Sequence, residues 1–307
     1  MVLPLVSICC ITYNHENYIK DAIDSFLMQE TTFPYEIIIH DDASTDGTPA
    51  IIKNYAENNI NIVPVFQKEN QYSRNVKIFP SFVFPVARGK YIAICEGDDY
   101  WTDPAKLQKQ IDYMEEHPEC TLCVHASSDV SYNGEFIKKR QRYKTDCIVP
   151  MEDLILGGGG FVVLSSTVFP SSLRCQFPKY YLNSPVGDVP MHLFLASCGN
   201  VFYFHDNMSS YRTGVAGSWT SRVGDGIGEK QQLQQYLMSA MYLNFAKSIN
   251  ERYRTYAEFM SLKCQIHGAR IGKKLNKPDV DLCGYLLKEL KYIKAKAIVH
   301  LRRYFKS

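Results

Sequence analysis

Tyr91-Ile92-Ala93-Ile94-Cys95-Glu96-Gly97-Asp98-Asp99-Tyr100-Trp101 is the stretch that decides how this chain folds. The apolar run Tyr91 to Cys95 reads as a strand covered on both faces, the pattern of a parallel sheet. It breaks off at three carboxylates set around one glycine. In an open α/β sheet a ligand sits outside the carboxyl ends of the strands. Crowding Glu96, Asp98 and Asp99 at such a point costs Coulomb repulsion unless a cation is shared. Hard oxygen donors of this kind suit Mg2+ or Mn2+, held through one or two carboxylates plus substrate phosphates. The plainer alternative is an acidic loop that merely follows a strand.

Upstream, strand and helix alternate. Leu5 to Ile11 reads as a buried first strand, and Tyr18 to Gln29 carries apolar residues at helical spacing. Glu36 to Ile39 is a second strand, Thr48 to Asn58 a second helix and Ile62 to Phe66 a third strand. The expected fold is α/β, a mostly parallel Rossmann-like sheet flanked by helices. Right-handed crossovers place every strand-to-helix loop on one edge, so Thr12 to Asn17, Asp41 to Gly47 and Glu96 to Asp103 are expected to meet.

Each loop carries its own chemistry. In Asp41-Asp42-Ala43-Ser44-Thr45-Asp46-Gly47-Thr48, Asp46-Gly47 reads as a tight turn and Thr48 as the cap of the next helix. Asp41 and Asp42 stand at a strand end, where a carboxylate can accept a hydrogen bond from a nucleobase N–H. The first loop, Thr12-Tyr13-Asn14, lacks the glycine spacing of a dinucleotide site and the glycine-rich loop of a nucleotidyltransferase. Tyr13 offers an aromatic face to a base instead.

Val6-Ser7-Ile8-Cys9-Cys10-Ile11-Thr12-Tyr13-Asn14, the Asp41 to Thr48 segment, and Gly89-Lys90-Tyr91-Ile92 running into Glu96-Gly97-Asp98-Asp99 together resemble the family 2 glycosyltransferases of GT-A fold. The three segments come in that family's order and spacing over roughly the first 120 residues. The resemblance implies inverting transfer of a sugar from a nucleoside diphosphate sugar, with a divalent metal on the diphosphate. It implies nucleotide contacts from Thr12, Tyr13, Asn14, Asp41, Asp42 and Asp98, and a diphosphate contact from Arg74. The family's metal motif is usually Asp-x-Asp. Here it is Glu96-Gly97-Asp98, which puts the weight on Asp98, with Glu96 or Asp99 assisting.

Past the metal loop, Asp103-Pro104 opens a helix striped by Leu107, Ile111 and Met114, and Thr121 to Ala126 reads as a further strand. Ser131 to Cys147 reads as a solvated basic hairpin. The acceptor side is expected between residues 150 and 220. Gly158 and Gly159, within Gly157 to Gly160, permit close backbone approach by a ligand or simply form a turn. Trp101 can wall a sugar or sit in the core. Asp188, before the apolar stretch His192 to Cys198, is a helix cap on local grounds; the resemblance makes it the catalytic base. The glycine-punctuated loop around Trp219 has the character of a substrate-ordered lid, and Arg212 stands near the diphosphate or pairs on the surface. Thr213 to Thr220 contains no histidine of the kind the family often carries, so a third protein ligand for the metal is not supplied there.

From Gly228 the chain turns helical, and its last segment, Tyr285 to Phe305, is a basic amphipathic helix suited to an anionic membrane surface or to packing on the preceding helices. The expected organisation is a GT-A domain over 1–226, its nucleotide and metal half ending near 120, followed by a helical region over 227–307. A formal net charge of +2 on 307 residues argues against a generally basic nucleic-acid binder. The ten cysteines are scattered, and Cys120-x-x-Cys123 has no second pair, so reduced thiols in a cytosolic protein are expected rather than zinc. Val2 to Ile11 has no basic region before it and reads as a strand, not a signal peptide. The expected partners are a nucleoside diphosphate sugar, a UDP-sugar for preference, and a glycan or lipid-linked acceptor of surface polysaccharide synthesis. The expected location is the cytoplasm, with peripheral contact at the inner face of the cell membrane. A metal-dependent nucleotidyltransferase and a non-catalytic carbohydrate-binding protein of the same fold are the alternatives.

Overall fold

The computed structural model describes residues 3–216, 218, 228–274, 292, 295 and 299. The strand β1 (Val6–Thr12) is flanked on both sides by parallel neighbours, β2 (Tyr35–Asp41) and β4 (Tyr91–Glu96), and β3 (Ile62–Phe66) adds to β2. Beyond β4 the sheet continues through β9 (Val168–Pro170), β6 (Cys120–Val130), β10 (Asn200–Arg212) and the short β5 (Tyr100–Trp101). Two further strands, β7 (Phe136–Arg140) on β6 and β8 (Cys147–Ile148) on β10, complete it. Because β9 is antiparallel to both β4 and β6, and β10 is parallel to β6, the strands β1, β2, β3, β4, β6 and β10 share one direction. Their carboxyl ends, at Thr12, Asp41, Phe66, Glu96, Val130 and Arg212, therefore lie on one edge.

The periodicity predicts these elements to within a residue or two up to β4, whereas the strand expected over Thr121 to Ala126 runs on to Val130. The second strand runs on to Asp41 because Asp41 still pairs with Thr12 across the ladder. On one face, Ile8, Cys10, Ile37, Ile39, Ala93 and Cys95 pack with Ile19, Ile23 and Phe26 of α1 (Ile19–Leu27), Ile52 of α2 (Thr48–Asn58), and Leu107, Ile111 and Met114 of α3 (Lys106–Glu116). The opposite face is met by the segment Phe79–Val86, where Pro80 and Pro85 allow only short turns; Phe84 stacks on Phe177 and lies edge-on to Phe169. At the amino ends of the strands, buried Glu36 accepts hydrogen bonds from Ser7 Oγ (2.7 Å), the Arg88 backbone N–H (2.8 Å) and the Arg88 guanidinium. A Cβ on Gly89 would lie 2.5 Å from the Ser7 nitrogen, which is why a glycine precedes β4.

Cys9, Cys10, Cys95, Cys120 and Cys123 are buried free thiols, whereas Cys175 and Cys198 are exposed. Burial pushes Cys9, Cys10, Cys95 and Cys123 well above the usual thiol range.

Two compact units divide the chain: Met1–Val149, Gly159–Phe177 and Cys198–Ser218 in one, Pro150–Gly158, Pro178–Ser197 and Trp219–Ser307 in the other. This differs from the division at residue 226 expected from sequence, because segments 150–158 and 178–197 group with the C-terminal helices. The second unit holds α4 (Met151–Gly157), α5 (Lys179–Leu182), most of α6 (Asp188–Cys198), α7 (Glu229–Ser248) and α8 (Glu251–Lys274). Buried Met241, Tyr242 and Phe245 of α7 and Tyr256, Ala257 and Met260 of α8 supply its interior, and Ser239 and Ser261 share a hydrogen bond of 2.8 Å between the two helices. Among the described residues no helix is long and apolar enough to cross a membrane.

Candidate functional site

The first two loops at the carboxyl edge are stitched together. Asn14 takes a left-handed conformation (φ +55°), which turns the chain so that its backbone N–H donates to Ser44 Oγ at 2.8 Å. Its side-chain oxygen accepts from the Thr45 N–H at 2.8 Å. The next two amides continue the seam, His15 N–H to Thr48 Oγ1 (2.9 Å) and Glu16 N–H to Asp46 Oδ2 (3.1 Å), while the Gly47 N–H returns to Glu16 Oε2 (2.7 Å). Thr48 is the first residue of α2 and not its cap: Gly47 holds the N-cap position, Asp46 Oδ1 accepts the Thr48 N–H at 3.0 Å, and the Thr48 hydroxyl is engaged with His15.

The residues expected at the nucleotide fall into two groups. Tyr13 is 40% exposed and offers its ring to a ligand, and buried Thr12 Oγ1 and Asp41 Oδ1 have no hydrogen-bond partner among the described residues. Burial raises the Asp41 carboxyl above its ordinary value, opposed by its bonds from Ser44. Asp42 is occupied, since its two oxygens accept the N–H groups of Gln71 (2.8 Å) and Tyr72 (3.0 Å) and hold the turn that carries Arg74. Arg74 itself pairs with Glu69 at 2.7 Å on the open surface.

The third loop is fixed from both sides. The Gly97 N–H donates to the Ile11 carbonyl (2.9 Å), and a Cβ on Gly97 would stand 2.7 Å from Thr12 Oγ1 and 2.8 Å from Thr12 Cβ. Only glycine lets the acidic loop lie against the end of β1. Asp98 keeps its side chain 15% exposed, with His15 Nε2 3.9 Å from its Oδ2. Asp99 turns inward and is 1% exposed: Oδ1 accepts the Arg212 N–H at 2.9 Å and Oδ2 has no partner among the described residues. Burial first, then the Asp98 and Glu96 charges, push the Asp99 carboxyl well above the usual range. Arg212, expected at the diphosphate or on the surface, is buried beneath this loop. Its guanidinium donates to the Asp98 carbonyl (3.1 Å) and to the Asp21 carboxylate, and lies between the Tyr18 and Tyr100 rings at 5.0 and 4.9 Å. Trp101 belongs to the core rather than to an open wall. It is 1% exposed, gives its Nε1–H to the Ser165 carbonyl (2.8 Å), and meets Phe26 edge-on. The Lys106 Nζ lies 3.8 Å from the centre of that indole, fully buried, and burial lowers its pKa to about 7.

In the second unit, Asp188 is the first residue of α6 and is half-buried. One turn on, His192 is buried, and burial lowers its pKa to about 4 against the pull of the Asp188 charge. Gly158 ends α4 with φ +56°, and a Cβ there would stand 3.3 Å from both Met260 Cε and the Tyr242 hydroxyl. Gly159 is exposed and belongs to the other unit. Trp219 and most of the expected C-terminal helix lie outside the described residues.

Sequence reasoning did not single out His15 or His192. His15 follows directly on the Thr12-Tyr13-Asn14 segment, and its approach to Asp98 depends on the left-handed turn at Asn14. His192 stands four residues after Asp188, on the same side of a helix.

Among the described residues no three His, Cys, Asp or Glu side chains form a metal cage. What the loop provides is a partly exposed Asp98 carboxylate two residues from Glu96, with the nitrogen of His15 3.9 Å away. That set fits a hard cation held by one or two protein groups and completed by substrate phosphates.

The chain is 36% identical over 232 residues to an uncharacterised protein of Mycobacterium tuberculosis, covering 72% of this chain and 62% of that one. It is 35% identical over 113 residues to the UDP-Glc:alpha-D-GlcNAc-diphosphoundecaprenol beta-1,3-glucosyltransferase WfaP of Escherichia coli, covering 37% of this chain and 42% of that one. The chain thus spans less than two thirds of the length of these relatives. Among solved structures, S. aureus TarS 1–349 in complex with UDP-GlcNAc superposes with a TM-score of 0.66 at 16% identity, over 94% of this chain and 81% of that one, a match of GT-A fold. The family model for glycosyl transferase family 2 matches residues 7–163, which takes in the stitched loops and the Glu96 to Asp99 turn, and the protein belongs to that family.

Proposed function

We propose that the protein transfers a sugar from a nucleoside diphosphate sugar, with UDP as the favoured nucleotide, to a hydroxyl of a glycan or lipid-linked acceptor in surface polysaccharide synthesis, inverting the anomeric centre. The observation that carries this reading is the meeting of three loops at one strand edge: a partly exposed Asp98 carboxylate, an exposed Tyr13 ring and two buried polar atoms, on Thr12 and Asp41, without partners among the described residues. Tyr13 packs against the base, and Thr12 and Asp41 turn their unused oxygens to nucleoside donors. Asp42 and Asn14 hold the loops that carry these groups. Asp98, with Glu96 assisting, holds Mn2+ or Mg2+, which when bound neutralises charge on the departing diphosphate.

Asp188 takes the proton of the acceptor hydroxyl as that oxygen attacks C1. The new glycosidic C–O bond forms as the bond from C1 to the diphosphate oxygen breaks, and the nucleoside diphosphate leaves with the electron pair. Attack from the face opposite the leaving group inverts C1. A UDP leaving group and a diphospholipid acceptor draw support from the name of WfaP, and UDP also from the TarS complex. Incubation with a panel of nucleotide sugars, with Mn2+ or with EDTA, tests the reading by released nucleoside diphosphate. Metal-dependent release lost in Asp98→Ala and Asp188→Asn is the expected result; release indifferent to EDTA and to both substitutions refutes it.

A further inference from the structure

The geometry points to the hairpin between β6 and β7 as a docking element for an anionic lipid surface, one that seats the loop edge of the sheet against a membrane. The tip is an ordered turn: the Gly134 N–H donates to the Ser131 carbonyl (2.9 Å), the Ser131 N–H donates to the Glu135 carbonyl (2.8 Å), and Gly134 has φ +85°. Tyr132 on this turn is 54% exposed, and Phe136 and Ile137, the first residues of β7, are 67% and 52% exposed. Three large apolar side chains held in water at one end of a hairpin need a cover. From 131 to 144 the chain carries five basic residues, Lys138, Lys139, Arg140, Arg142 and Lys144, against one acid, Glu135. Arg140 and Lys138 share Asp129, and Arg142 donates to the Gly160 and Phe161 carbonyls, while Lys139 and Lys144 remain exposed.

Acyl-chain anchoring by Phe and Ile, a tyrosine at headgroup depth and lysines reaching phosphates make up the composition of an interfacial anchor. Addition of another strand to β7 is opposed by its Lys138 and Lys139, the charges that blunt an exposed sheet edge. A sugar ring could stack on Tyr132 or Phe136, but neither Ile137 nor the basic run answers to neutral hydroxyls.

Position gives the contact its purpose. Val130 pairs with Arg212, the Thr213 N–H donates to the Val130 carbonyl (2.8 Å), and Arg212 holds Asp98 and Asp99. The tip therefore leaves the sheet on the edge that carries the acidic loop, one strand away from it. The C-terminal helix expected at the membrane has less to offer where it is described: Tyr292 stacks on Phe259 of α8 at 5.2 Å, and Val299 is 6% exposed.

Vesicle co-sedimentation of the full chain tests the inference without turnover, so it stands or falls apart from the glycosyl-transfer reading. Wild type is mixed with phosphatidylcholine vesicles, with and without about a third phosphatidylglycerol, at low and high salt. Binding is expected only with the anionic lipid, weakening as salt shortens the screening length to about 8 Å and below. The pairs Phe136→Ser/Ile137→Ser and Lys139→Glu/Lys144→Glu are each expected to reduce partitioning about tenfold or more, with the melting temperature and UDP affinity unchanged. Lys291→Glu/Lys294→Glu in the C-terminal segment is expected to leave it near wild type. No sedimentation of wild type with anionic vesicles overturns the proposal, as does wild-type sedimentation of both hairpin variants. Hairpin variants that sediment normally but show a raised KM for a water-soluble glycan acceptor assign the tip to the acceptor instead.

Discussion

Replacing Arg212 by alanine tests whether the acidic loop is held from below. The guanidinium is 6% exposed as part of its residue, so its removal leaves the Asp98 carbonyl without that donor, a loss of about 1 kcal/mol. Two aromatic faces, Tyr18 and Tyr100, lose a cation at about 0.5–1 kcal/mol each. The Asp21 carboxylate is 51% exposed, so that ion pair adds no more than about 1 kcal/mol. Together these give roughly 2–4 kcal/mol, or a fall in melting temperature of roughly 5–12 °C for a unit of this size. Arg212→Lys keeps the charge but not the planar fork, and is expected to recover less than half of the loss. Differential scanning calorimetry measures the first effect. Titration with UDP and Mn2+ measures the second, a weakening of about tenfold if near 1.4 kcal/mol of the loss falls on ordering the loop. If Arg212→Ala melts within about 1 °C of wild type, the buried clamp is not what holds the loop.

Gly97→Ala places a methyl 2.7 Å from Thr12 Oγ1, and is expected to cost about 1–3 kcal/mol of stability and most nucleotide binding; an equally stable, fully binding variant refutes the close approach. Asp188→Asn is expected to bind donor normally while the transfer rate falls about 10²–10⁴-fold, the worth of a general base, whereas a residue that only caps α6 tolerates asparagine. Lys106 titrates near 7 in the folded protein and near 10.5 unfolded, so below pH 7 both states are charged and the full cost of burying the ammonium is present; that cost fades as pH rises toward 10.5. Lys106→Met is therefore expected to be more stable than wild type at pH 7, by a margin that shrinks between pH 7 and 10 in urea titrations, and a margin independent of pH refutes the assignment.

Much of this was legible in the sequence because it rests on local periodicity. Apolar runs ending at Ile11, Ile39 and Cys95 announce parallel strands, and right-handed crossovers alone bring their loops to one edge. What the loops do with their side chains was less legible. Asp42 and Asn14, expected at the nucleotide, also bond the backbone of neighbouring loops, because short polar side chains find local amides first. The inward turn of Asp99 needs Arg212, whose partner loop lies more than a hundred residues earlier in the chain. Trp101 is drawn into the core by a two-residue pairing, Trp101 with Ser209, too short to register as a strand. The division into units escaped because segments 150–158 and 178–197 leave the sheet domain and return to it, and no shift of composition marks those crossings.

The buried thiols give the protein an internal clock. Cys9 and Cys10 lie on β1, Cys95 on β4 and Cys123 on β6, so each can meet an aromatic disulfide reagent only when those strands part. Among the described thiols, exposed Cys175 and Cys198 react first and half-buried Cys147 and Cys264 next, and the slowest phase reports how often the sheet opens beneath the loops. A nucleotide seated across the ends of β1 and β4 binds only the closed form, so it lengthens that phase in proportion to its own affinity. The rate at which Cys10 and Cys95 are modified thus measures occupancy of the edge above them without any sugar being transferred.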